Sequence, residues 1–204
     1  MEELSVLIAT NNLHKIEEFR RIWANYPWRI VTPRQLGLDL DVDETGRTFD
    51  ENACLKAEAF ALASGMPSLA DDSGIEVDAL DGAPGIFSAR YGPAGLDDSG
   101  RVRHLVSQLI DVPQGERQCR YRASLALALP EGTQVVTSGV CEGVVAFAPK
   151  GVGGFGYDPI FFIPELDRTM AELTASEKDQ ISHRGRAARQ MSDRLHILHL
   201  GSTP

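Results

Sequence analysis

Three cysteines in 204 residues, Cys54, Cys119 and Cys141, are few, odd in number and widely spaced. That argues against a disulfide framework or a zinc site and suits a reducing, cytoplasmic setting. No apolar run approaches the length needed to cross a bilayer, so no membrane partner is expected. The start, Met1-Glu2-Glu3, is acidic and leads straight into a short apolar run, unlike a signal peptide. Basic residues are also in short supply: 20 Lys and Arg stand against 29 Asp and Glu, for a formal net charge of −9. A duplex-binding protein needs a basic face, so generic nucleic-acid binding is disfavoured. A small anionic ligand is not, because a few cations and a metal make a locally positive pocket inside an acidic protein. No Walker-type glycine pattern, internal repeat, low-complexity tract or convincing linker is visible. The length suits one good core, and a single domain over residues 1–204 is expected.

What is present centres on Leu69-Ala70-Asp71-Asp72-Ser73-Gly74-Ile75-Glu76-Val77. The apolar flanks predict a buried strand, and Ser-Gly predicts a tight turn with the acids at it. Neighbouring strand side chains point to opposite faces, so Asp71 and Asp72 do different jobs. They are either turn residues bonding backbone amides or a desolvated pair that needs a cation.

Leu4 to Ala9 reads as a central strand buried on both faces. It ends in Thr10-Asn11-Asn12, and a helix is predicted from His14 to Asn25, with Ile16, Phe19, Ile22 and Trp23 apolar and Glu18 among the polar sides. Strand, polar turn and helix put backbone N–H groups and a positive dipole end before an anion, and Lys15 adds a charge. An ordinary polar turn has the same sequence. Trp28 to Thr32 predicts a second strand, stopped by Pro33. The acidic segment Asp39 to Gly46 is a strand end or a loop, whose clustered carboxylates a nearby cation would relieve. Thr48-Phe49-Asp50-Glu51 has the form of a capping box for a helix to about Ser64, with Gly65 and Pro67 as stops. Lys56 on that helix is either a solvent-facing lysine or a ligand for an anion.

Ala83 to Gly92 reads as an irregular segment, a lid or a cleft wall. Asp97 or Asp98 caps a helix to about Ile110, with His104 on its polar side. Cys119 to Leu129 alternates and forms a long hairpin with Gln134 to Phe147, where Gly139 and Gly143 suggest a bulge or bend. Lys150 to Pro159 is a Gly-rich loop carrying Phe155 and Tyr157, which either stack on a flat base or plug into the core. Ser182-His183-Arg184 begins a last helix to about Leu200. His196 and His199 read as surface or interface residues rather than metal ligands.

Six segments in this order and spacing closely resemble the inosine triphosphate pyrophosphatase family. They are Thr10-Asn11-Asn12-x-x-Lys15-x-x-Glu18; Glu44-Thr45-Gly46-x-Thr48-Phe49-x-Glu51-Asn52-Ala53-x-x-Lys56-Ala57; Ala70-Asp71-Asp72-Ser73-Gly74; Pro84-Gly85-Ile86-x-Ser88-Ala89-Arg90-Tyr91; Gly154-Phe155-Gly156-Tyr157-Asp158-Pro159; and Ser182-His183-Arg184. The resemblance implies an elongated α/β fold, a mixed central sheet flanked by helices, with two lobes around a nucleotide cleft. It implies a homodimer, Mg²⁺ dependence, and cleavage of deaminated purine triphosphates (ITP, dITP, XTP) between the α and β phosphorus. By the same resemblance Asp72 is general base and metal ligand, and Glu44 helps hold the metal. Thr10, Asn11, Asn12, Leu13, His14, Lys15, Lys56 and Ser73 would hold phosphates. Phe155, Gly156, Tyr157 and Asp158 would line the base and sugar site, with Lys178, His183 and Arg184 closing it. Asn11 and His14 stand where Gly is frequent in the family. The competing readings are a pyrophosphatase for modified pyrimidines, a nucleotide-binding regulator without turnover, and a generic phosphatase.

Overall fold

The β-branched and leucine-rich run at the start becomes β1 (Leu4–Ile8), and its alternation decides the layers around it. In the computed structural model, which describes the backbone of residues 4–200 and side chains within 5–195, Val6 and Ile8 point to one side and Leu7 and Ala9 to the other. The readings of Met1 to Glu3, and of Leu198, His196 and His199, lie outside the described residues and side chains. Among the described residues seven strands make one mixed sheet in the order β2-β1-β3-β4-β5-β6-β7. They are β1, β2 (Trp28–Val31), β3 (Ser68–Val77), β4 (Gln118–Ala128), β5 (Gln134–Val145), β6 (Phe161–Ile163) and β7 (Arg168–Thr169). β1 runs parallel to β2 and β3, with Leu7 opposite Val31 and Ser68. β6 runs antiparallel to β5 and β7. Five α-helices accompany them among the described residues: α1 (Leu13–Ile22), α2 (Phe49–Ser64), α3 (Asp98–Gln108), α4 (Ala175–Ile181) and α5 (His183–Leu200). None is long and apolar enough to cross a membrane.

The chain folds into two compact units. The first takes residues up to Asp72, 123–139 and from Arg184 on; the second takes 73–122 and 140–183. The chain passes between them inside β3, β4 and β5 and at the start of α5, so no linker composition marks the division.

In the first unit, Ile16 and Phe19 of α1 and its C-cap Trp23 pack with Val6, Ile8, Leu69, Leu125, Leu127 and α5's Ala187, Ala188 and Met191. On β1's other face, Ala53, Ala57, Phe60 and Ala61 of α2 meet Leu7, Ala9, Val31 and Ala126. The small alanines let α2 lie close to the sheet. Thr48 Oγ1 caps α2 by accepting from Glu51 N–H at 3.1 Å, and Gly65, at φ 66°, ends it. The Glu51 carboxylate reaches back to Arg47 N–H at 2.6 Å, one residue before the cap that the capping-box pattern names. Helix α1 ends at Ile22, three residues before the expected end.

In the second unit, Ile75 and Val77 of β3, Val102, Leu105 and Leu109 of α3, Tyr121, Cys141, Tyr157 and Phe161 form the core. The alternate residues of its strands carry charge instead. Arg122 pairs with Glu76 at 3.2 Å, and Arg120 with Asp78 at 2.9 Å and Glu142 at 3.3 Å. This is the in/out alternation of a sheet with one polar face. His104 is half-buried against Tyr91, with ring centroids 5.1 Å apart, rather than on a purely polar side. At Gly143 a Cβ would meet the Phe161 ring at 2.6 Å, so the glycine admits the ring. The segment expected to be irregular is a 3₁₀ helix, Gly85–Arg90, tied to β3 by Ser88 Oγ accepting from Ile75 N–H at 2.9 Å.

Candidate active site

The acids of β3 do not sit at a turn. The strand continues through Asp71, Asp72, Ser73 and Gly74 to Val77, and all of these except Ser73 and Glu76 are buried. The expected opposition of the two side chains is what the structure shows.

On the first unit, Asp71 is 3% exposed and gathers cations. Its Oδ2 lies 2.6 Å from Lys15 Nζ and 3.2 Å from Arg184 Nη2. Its carbonyl oxygen accepts from Lys56 Nζ at 3.0 Å. Arg184 also donates to Glu18 at 2.5 Å, so Glu18, expected on a polar side of α1, is a buried ion-pair partner. Burial alone would raise the Asp71 pKa, but Arg184 and Lys15 outweigh it and hold the carboxyl well below the carboxylate range.

Asp72 has the opposite setting. Its Oδ1 lies 3.3 Å from Lys56 Nζ, and its Oδ2 accepts from Asn52 Nδ2 at 3.1 Å. Burial pushes its pKa up, Lys56 offsets part of this, and Glu44 adds to the rise. Lys56 is therefore no solvent-facing lysine: it bridges Glu44 Oε1, at 2.9 Å, and Asp72. Burial would lower its pKa, but Asp72 and Glu44 raise it, so the ammonium stays charged. Glu44 stands on a loop without regular structure, which settles the alternatives for Asp39 to Gly46.

Asn52 is the residue sequence reading passed over. Fully buried on α2, it donates to Asp72 and accepts from Gly46 N–H at 2.8 Å, tying the Glu44 loop to the strand acid. Its place one turn before Lys56 on the same helix was the available signal. A Cβ at position 46 would lie 2.6 Å from Asn52 Oδ1, so only glycine permits the approach.

Thr10, Asn11, Asn12, Leu13 and His14 lead into α1 beside this cluster's Lys15. Asn12 is the N-cap: its Oδ1 accepts from His14 N–H at 3.0 Å and Lys15 N–H at 3.3 Å. Those two amides are thus capped from within, a correction to the expectation that they stand open toward an anion. Thr10 Oγ1 accepts from Asn12 N–H at 3.1 Å, and Leu13 is 69% exposed at the helix start.

On the second unit, Ser73 is half-buried at that unit's first position. The Gly-rich loop folds around Asp158. The Asp158 carboxylate accepts from Tyr121 Oη at 3.1 Å, Phe155 N–H at 2.9 Å and Lys178 Nζ at 2.5 Å. Gly154 adopts φ 70°, and a Cβ there would collide with Asp158 Oδ2. Phe155 is half-buried, with Lys178 Nζ 4.7 Å from its ring centroid. Tyr157 takes the other alternative: it is a core residue, 5% exposed, donating to Ser88 C=O at 2.9 Å, and its ring is no stacking platform. Gly156 N–H donates to Asp98 at 3.1 Å. His183, the first residue of α5, stacks on Tyr121 at 4.6 Å and 22°. Helix α4, which carries Lys178, was not read from the sequence, although Thr174 and Glu177 form a capping box there.

Comparison with known proteins bears on the same residues. The Ham1 family model matches residues 6–194. The chain is 46% identical over 185 residues to the dITP/XTP pyrophosphatase of Halalkalibacterium halodurans, covering 91% of this chain and 95% of that protein. It is 43% identical over 190 residues to the dITP/XTP pyrophosphatase of Geobacter sulfurreducens, covering 93% and 96%. Among solved structures it is similar to a HAM1 protein from Coxiella burnetii, with a TM-score of 0.86, 37% identity and coverage of 95% and 98%. The resemblance carried by the six segments thus extends over nearly the whole chain and its fold, and the chain belongs to the Ham1 family.

Proposed function

We propose that this protein hydrolyses deaminated purine nucleoside triphosphates (ITP, dITP and XTP) between the α and β phosphorus. The products are the nucleoside monophosphate and pyrophosphate, and the consequence is removal of these nucleotides from the pool. Relatives over 40% identical bear the name dITP/XTP pyrophosphatase. The observation that carries the reading is the contrast in geometry between Asp71, whose Oδ2 is gripped by Lys15 at 2.6 Å and Arg184 at 3.2 Å, and Asp72, whose carboxylate meets Lys56 at 3.3 Å and Asn52 at 3.1 Å, with burial raising its pKa toward that of a proton acceptor.

In this reading Asp72 takes a proton from the attacking water. Lys15 and Lys56, with the Thr10-to-His14 segment and Ser73, receive the phosphates as charge builds on their oxygens. Asp71 and Glu18 fix Arg184, and Asp71 positions the two lysines.

A divalent cation fits the donor set. The cluster holds Lys15, Lys56 and Arg184 against Glu18, Glu44, Asp71 and Asp72, so with all groups ionised it is one charge negative. A triphosphate would be repelled by it without further positive charge. Glu44 and Asp72 already converge on one cation, and hard oxygen donors in ones and twos are what Mg²⁺ takes alongside phosphate and water. Glu44 and Asp72 would hold it, and it would supply charge neutralisation at the phosphate oxygens.

The purine falls to the second unit's loop. Phe155 offers a ring to stack on, Lys178 lies over that ring and is held by Asp158, and Gly156 and His183 add polar groups in the same unit, while Tyr157 supports the loop from the core. Hypoxanthine and xanthine carry an oxygen at C6 where adenine carries an amino group. Donors aimed at that oxygen would be left facing adenine's own donors, which rejects the wrong base strongly. Guanine must be refused at C2. A homodimer in the cytoplasm completes the proposal.

The direct test is product identity. With ITP and Mg²⁺, pyrophosphate and orthophosphate are quantified separately. Pyrophosphate with inosine monophosphate is expected; orthophosphate with inosine diphosphate would overturn cleavage at the α–β position.

A further inference from the structure

Tyr121 is the side chain on which the second unit's candidate base-binding groups meet. It sits on β4, 6% exposed, flanked in the strand by Arg120 and Arg122, which point to the charged face. Its hydroxyl donates to Asp158 Oδ1 at 3.1 Å. The other Asp158 oxygen accepts from Phe155 N–H at 2.9 Å and Lys178 Nζ at 2.5 Å. Its ring packs against His183 at 4.6 Å and 22°, and against Phe161 at 4.2 Å and 15°. One strand residue therefore touches the carboxylate that fixes the loop and the lysine, and also the imidazole that opens α5. Burial and the Asp158 carboxylate keep the phenol protonated, so it remains a donor.

We propose that Tyr121 is a positioning residue for base discrimination: its hydroxyl and ring fix Asp158, and through it Phe155 and Lys178, together with His183, in one relative placement. The inference rests on the functional reading above, in which those groups receive the purine. Stacking on Phe155 tolerates any base. Telling a C6 oxygen from an amino group, or the presence of a C2 amino group, requires polar groups held within about half an ångström. A strand holds them more closely than a loop does, and the hydroxyl is the contact that transmits the position to the loop.

Tyr121→Phe removes one oxygen and keeps both ring contacts, leaving Asp158 with Lys178 and Phe155 N–H. Phe161→Leu is the control: it disturbs the same core and leaves the hydroxyl bond in place. For each, kcat/KM is measured with ITP and with GTP, alongside the thermal midpoint. The expected result is a fall of about tenfold in the ITP-to-GTP ratio for Tyr121→Phe, the scale of one hydrogen bond. Phe161→Leu lowers the midpoint and leaves the ratio near wild type. An unchanged ratio in Tyr121→Phe, or equal shifts in both variants, overturns the inference, since a merely structural role moves the midpoint and not the ratio. A cooperative melt lost in Tyr121→Phe while Phe161→Leu keeps its own would make the hydroxyl structural and overturn it as well. Wild-type protein without preference for ITP over GTP would overturn the functional reading itself, and the inference with it.

Discussion

Asp71 and Asp72 are adjacent in one strand and are held in opposite electrostatic states. Arg184 and Lys15 hold Asp71 low against its burial, whereas burial and Glu44 raise Asp72 against Lys56. The alternation of a strand makes this possible, since neighbouring carboxylates face different partners. One member of the pair organises the cations, and the other meets the Lys56 ammonium and the Asn52 amide.

The two neutral variants should therefore separate stability from turnover. Asp71→Asn breaks a buried ion-pair cluster, and losing one partner of such a pair costs about 3–5 kcal/mol. Asp72→Asn removes a carboxylate whose charged form is disfavoured by folding, so stability at neutral pH holds or rises. Its turnover falls by about 10²–10⁴-fold while nucleotide binding persists. Urea unfolding and a paired binding and rate measurement check both. Near-normal turnover in Asp72→Asn removes it as the base.

The pH dependence of stability carries the Asp71 sign. Its folded pKa lies below its unfolded value of about 3.9, so its contribution is fully present above that pH. It is lost as pH falls from there through the lower folded value. The stability gap between wild type and Asp71→Asn should be constant from pH 7 to about 5 and shrink below it. A gap that narrows already between pH 7 and 5 would contradict the assignment.

Asn52→Ala leaves the Asp72 carboxylate and the Gly46 N–H each short of a buried partner. A destabilisation of about 1–3 kcal/mol is expected by denaturant titration. Asn52→Leu, of similar volume, should do no better, because the polar groups it faces remain.

Phe155→Ala should weaken binding of every purine triphosphate by about 1–3 kcal/mol if the ring stacks on the base. Titration with non-hydrolysed analogues measures it. No loss for any purine would leave the ring a packing residue.

Much of this was legible in the sequence because it is local. The alternation of Leu4 to Ala9, the cap at Thr48 and the stop at Gly65 are decided within a few residues, and β1 and α2 follow them. The six motifs located the acids and Lys56. What the sequence withheld depends on partners far along the chain. Glu18 reads as a surface acid until Arg184, 166 positions away, folds onto it. Tyr157 and Phe155 are alike on paper; the second unit's apolar core and the carbonyl of Ser88, 69 positions away, take up Tyr157. The turn expected at Asp71 and Asp72 yielded to one continuous strand, Ser68–Val77, since membership of the buried sheet outweighs the turn preference of Asp-Ser-Gly.

The most direct measurement is a set of kcat/KM values for ITP, XTP, ATP and GTP with and without Mg²⁺, with pyrophosphate as the readout. Metal-dependent pyrophosphate release from ITP and XTP, with ATP and GTP nearly untouched, is the predicted result. Equal turnover of all four, or pyrophosphate released without the metal, would contradict it.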